Sequence, residues 1–64
     1  MIQRVKENIK AECKNRSITI ENICKSMHKD RKYIYRMTDK VQAMKIINIA
    51  QAIGCTPSDL FKGI

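Results

Sequence analysis

Ile46, Ile49, Ala50 and Ile53 stand at i, i+3, i+4 and i+7, a spacing that only a helix gathers onto one face. The same three- and four-residue steps recur upstream. Ile2, Val5, Ile9 and Cys13 predict a first amphipathic helix, with Arg4, Lys6, Lys10 and Lys14 on its other faces. Ile20, Ile23, Cys24 and Met27 predict a second helix, opened by Thr19 as N-cap after the break Asn15-Arg16-Ser17. Asp30 predicts a third, its side chain accepting from the amide of Lys32 or Tyr33, with Ile34 and Met37 inward. Gly54 is expected to close the Ile46–Ile53 helix in the left-handed conformation. Thr56-Pro57-Ser58-Asp59 combines an N-cap, a first-turn proline and a capping-box acid, which predicts a short closing helix through Leu60 and Phe61. No stretch alternates apolar and polar residues between hairpin turns, so strands are not expected. The expectation is a compact all-α domain of five short helices over residues 1–64, without linker or internal repeat.

A chain of 64 residues buries a small core. Met27, Met37 and Met44 are expected to fill it, together with Cys13, Cys24 and Cys55 as buried thiols. Three cysteines without a Cys-x-x-Cys pair, and one histidine, His28, argue against both a disulfide framework and a zinc site. There is no glycine-rich phosphate loop and no evident nucleophile and base, so no enzyme chemistry, cofactor or small-molecule ligand is expected. No apolar run approaches the roughly 20 residues of a membrane span, and the chain is expected to be soluble and cytoplasmic.

Thirteen Lys and Arg against six acids give a formal net charge of +7, which selects an anionic partner. Between Thr19 and Met37 the sequence sets a capped helix, a tight break and a second capped segment with a basic outer side, the layout of a helix-turn-helix. The first helix braces the second so that it can enter a DNA major groove. Arg31, Lys32, Tyr35 and Arg36 are the candidate base contacts, because guanidinium and ammonium groups donate to guanine O6 and N7. Thr19, Lys25, Lys29, Tyr33 and Lys40 flank them as candidate phosphate contacts. A protein-interaction adaptor or antitoxin-like module that keeps the same fold is the alternative reading.

The stretch resembles the lambda-repressor-like helix-turn-helix domains of the Cro and Xre type, over roughly residues 5 to 61. Thr19 stands where that family opens its second helix, and Ile23-Cys24 where Leu-Ala is usual. Asp30 takes the place of the cap serine, and Ile49 to Phe61 is similar to the family's fourth and fifth helices. His28 stands at the turn glycine, so the resemblance implies a backbone there that glycine accepts more easily. It also implies a small prokaryotic or phage transcriptional regulator, a repressor by kinship, that reads double-stranded DNA as a homodimer. Leu60, Phe61 and Ile64 are the candidate dimer contacts.

Overall fold

In the computed structural model, which describes all 64 residues, the helix α1 runs from Ile2 to Asn15 and turns Val5, Ile9 and Cys13 into the interior. Helix α2, Ile20–Ser26, starts where the Thr19 hydroxyl accepts the Asn22 amide at 3.1 Å, and it buries Ile23 and Cys24. Helix α3, Ala43–Ile53, carries the apolar repeat inward through Ile46, Ile49, Ala50 and Ile53. Helix α4, Pro57–Leu60, is fixed by the capping box expected at Thr56 and Asp59 and buries Leu60. No strand is present. The four helices enclose one core, in which Val5, Ile9, Cys24, Ile34, Ile46, Ile49 and Leu60 are essentially sealed from solvent. No charged or polar residue is buried there, so apolar burial is the main force that holds the interior.

Helices α1, α2 and α3 end the same way. The amide of Ile18 bonds the carbonyl of Cys13 at 3.0 Å, Lys29 that of Cys24 at 2.8 Å, and Cys55 that of Ala50 at 3.0 Å. These are the six-to-one bonds that close a helix through a left-handed residue. At the end of α3 that residue is Gly54, with φ 93°. At α1 it is Ser17, with φ 55°, and at α2 it is His28, with φ 59°. His28 therefore adopts the glycine-like backbone implied by its position in the turn.

Two expectations are corrected. The segment 31–36 is not the third α-helix but a succession of turns, so the regular helices number four. It contains one helical bond, from the Arg36 amide to the Lys32 carbonyl at 2.9 Å, set between tighter bonds from Tyr33 to Asp30 and from Met37 to Ile34. A segment this short forms a helix only where local sequence or packing favours it. The run Tyr33-Ile34-Tyr35 is aromatic and β-branched, and Lys32 and Arg36 are like charges one turn apart. Met44 is the second correction: it is 60% exposed rather than in the core, and Cys55, expected there as a buried thiol, is only half-buried at its edge. Met44 lies two residues before Ile46, about 200° round the helix from the inward stripe. No helix is long and apolar enough to cross a membrane.

Candidate nucleic-acid interface

The turns after α2 are built from the backbone upward. One carboxylate oxygen of Asp30 accepts the Lys32 amide at 2.8 Å, which holds the Asp30 carboxyl below its ordinary range. The Cys24 thiol donates to the Arg31 carbonyl at 3.8 Å, tying the start of the segment to α2. Ile34, 1% exposed, and Met37 are driven into the core and fix the segment to the body of the protein. With those two inward, Arg31, Lys32, Tyr35 and Arg36 face solvent. The four candidate base contacts thus share an outward-facing segment, though the element that presents them is a turn rather than a helix.

The flanking residues fall into two groups. Lys29 places its ammonium 5.4 Å from the centre of the half-buried Tyr33 ring, within cation–π range. Tyr33, Arg36 and Lys40 then line one open groove of about 280 Å³, and Lys45 from the first turn of α3 lines it too. No carboxylate borders it. Thr19 and Lys25 stay exposed near the two ends of α2. Lys45 escaped the sequence reading because its place at the groove depends on how α3 packs, and periodicity assigns it only to a solvent-facing position.

A second contribution comes from α1. The Lys6 ammonium donates to the Tyr35 carbonyl at 2.8 Å, and the Lys10 ammonium stands 6.0 Å from the centre of the Tyr35 ring. Tyr35, 53% exposed, is therefore bordered by two lysines that lie far from it in sequence. Few of the surface cations are paired. Of the thirteen Lys and Arg side chains, Arg16 alone forms an ion pair, with Glu12.

Elsewhere, Leu60 is 0% exposed and enclosed by its own chain, which leaves the half-buried Phe61 and the exposed Ile64 as surface. Glu12, Cys55 and Asp59 bring one donor atom each within 4.8 Å of one another, a set suited in composition to a divalent ion. Both carboxylates already have partners: Glu12 pairs with Arg16, and Asp59 accepts from the amide and hydroxyl of Thr56. Burial pushes the Cys55 thiol up, and the neighbouring Glu12 pushes the same way, so the thiol keeps its proton. No family model matches the chain, and comparisons with curated proteins and with solved structures likewise find no match.

Proposed function

We propose that the protein binds double-stranded DNA as a small transcriptional regulator of the Cro and Xre kind, with the segment 31–37 as its reading element. The observation that carries this reading is the cationic segment anchored by Ile34 and Met37, with Arg31, Lys32 and Arg36 outward and none of them in an ion pair. Anchoring lowers the entropic cost of presenting those side chains, since the backbone that carries them is already fixed to the core. In the major groove Arg31, Lys32 and Arg36 donate to guanine edges, while Tyr35 offers its ring to a thymine methyl or its hydroxyl to an acceptor. The groove lined by Tyr33, Arg36, Lys40 and Lys45 receives a phosphate beside the reading segment. Lys29, next to Tyr33, extends the same positive margin, and Thr19 and Lys25 offer donors along α2.

A single module of this size covers a short site, so a homodimer on two half-sites gives the affinity that regulation requires. Phe61 and Ile64 are the surface residues proposed for that contact.

The test is a charge reversal. Arg31→Glu, Lys32→Glu and Arg36→Glu together are expected to abolish binding to duplex DNA while far-ultraviolet circular dichroism stays that of the parent. Selection of bound fragments from random duplex at fixed salt then supplies the operator. Unchanged affinity in the folded triple variant would remove the reading.

A further inference from the structure

Helix α1 carries Lys6, Lys10 and Lys14 at successive four-residue steps, which places them in one row about 6 Å apart along the axis. Like charges at this spacing destabilise a helix, and none of the three has a carboxylate partner. The row begins at the reading segment, where Lys6 holds the Tyr35 carbonyl and Lys10 stands by the Tyr35 ring. It then runs away from that segment, with Lys10 and Lys14 exposed. Inside the bundle only Lys6 and Lys10 have contacts, both with Tyr35, whereas a polyanion crossing the reading segment meets the whole row as a continuation of the same positive surface.

We propose that α1 is the second half of the nucleic-acid surface, with Lys10 and Lys14 contacting the phosphate backbone of the duplex beyond the reading segment. Lys6 is a positioning residue: its hydrogen bond to the Tyr35 carbonyl sets the height at which Tyr35 and Arg36 are presented, and it touches no phosphate. This inference rests on the duplex-binding reading above. The division of roles follows from geometry, since the Lys6 ammonium is engaged with a backbone carbonyl, while Lys10 and Lys14 are exposed and form neither a hydrogen bond nor an ion pair through their ammonium groups.

The two roles have different signatures in salt. A lost phosphate contact reduces the slope of log affinity against log salt by about 0.9, because one counterion fewer is released. A lost internal hydrogen bond lowers affinity without changing that slope. The full chain is titrated against a mixed-sequence duplex of about 30 base pairs by fluorescence anisotropy, between about 50 and 200 mM salt. Lys10→Gln and Lys14→Gln are each expected to flatten the slope by about 0.9. Lys6→Met is expected to weaken binding about threefold to tenfold at unchanged slope, with Lys6→Arg restoring it. Circular dichroism of each variant checks that the helices remain.

If the parent binds and Lys10→Gln and Lys14→Gln keep its slope, the α1 surface is overturned while duplex binding stands. If Lys6→Met flattens the slope as well, its positioning role is overturned. If the parent itself shows no affinity for duplex, both readings fall together.

Discussion

One carboxylate oxygen of Asp39 accepts the backbone amide of Ile2 at 2.8 Å, across 37 residues of sequence. Helix α1 has no side-chain cap from its own N-cap residue, so Asp39 supplies from the far side of the reading segment what a local serine or aspartate usually supplies. The bond ties the start of α1 to the polar turn that leads into α3. With Lys6 on the Tyr35 carbonyl, it fastens the segment between α2 and α3 to α1 at two points.

Asp39 makes stability sensitive to acid. The Ile2 amide, and then the nearby chain amino group, hold its carboxyl below the ordinary range. The Lys32 amide does the same for Asp30, and the Thr56 amide for Asp59. A carboxyl whose folded pKa is depressed contributes stability above its unfolded value of about 3.9, and that contribution disappears as pH falls through the folded value. Thermal midpoints are therefore expected to be flat near neutrality and to drop below about pH 4. Asp39→Asn is expected to lower the midpoint at neutral pH and to make the acid limb shallower. An acid limb identical to that of the parent would show that Asp39 does not couple to folding.

His28→Gly is expected to stabilise the fold. His28 sits at φ 59° to close α2, a conformation that costs a side chain about 1–2 kcal/mol. Glycine relieves that strain but adds freedom to the unfolded chain, so the net gain is about 0.5–1 kcal/mol, or roughly 4 °C in melting temperature for a domain of this size. His28→Val, β-branched, is expected to shift the midpoint the other way. The two melting curves decide it.

What was legible in the sequence is what is local. Thr19 on the Asn22 amide, Asp30 on the Lys32 amide, the box of Thr56 and Asp59, and Gly54 in the left-handed region all act within a few residues, and their chemistry is written in their order. The core stripes follow for the same reason, since the helical period puts Val5, Ile9 and Cys13 on one side without reference to any neighbour. The bonds of Asp39 to Ile2 and of Lys6 to Tyr35 join residues 37 and 29 positions apart, and no periodicity encodes them. Segment 31–36 is ambiguous in sequence because caps and apolar spacing suit one turn as well as a helix. Deciding between them takes the balance of poor propensity against the demand that Ile34 and Met37 both reach the core.

Ile34 is where that demand can be measured. It is 1% exposed at the centre of a segment with no helical ladder of its own, so its burial is the largest apolar anchor of the turns, beside Met37 and the hydrogen bonds from Cys24 and Lys6. Ile34→Val is expected to cost about 0.5–1.5 kcal/mol and Ile34→Ala about 2–5 kcal/mol, by urea denaturation. Since small domains have little stability in reserve, the alanine variant is expected to be substantially unfolded at 37 °C. The valine variant is the informative one. If the segment is presented only while Ile34 is seated, duplex affinity at 25 °C falls along with stability, whereas an independent segment leaves affinity unchanged.

The groove between the reading segment and α3 leads to the remaining prediction. Lys40 enters it from the turn and Lys45 from the first turn of α3, beside Arg36 and without any acid on the lining. Cations crowded in this way repel one another, and the repulsion is relieved when a phosphate occupies the space between them. Lys40→Gln and Lys45→Gln are therefore expected to raise or preserve the melting temperature of the free protein while weakening duplex binding. Each is expected to flatten the salt dependence by about 0.9, and the double variant by about twice that. Opposite effects on stability and affinity mark a surface shaped for its ligand rather than for the fold. Loss of stability in both single variants would show instead that the two lysines serve packing, through their alkyl stems against Tyr33 and Met37.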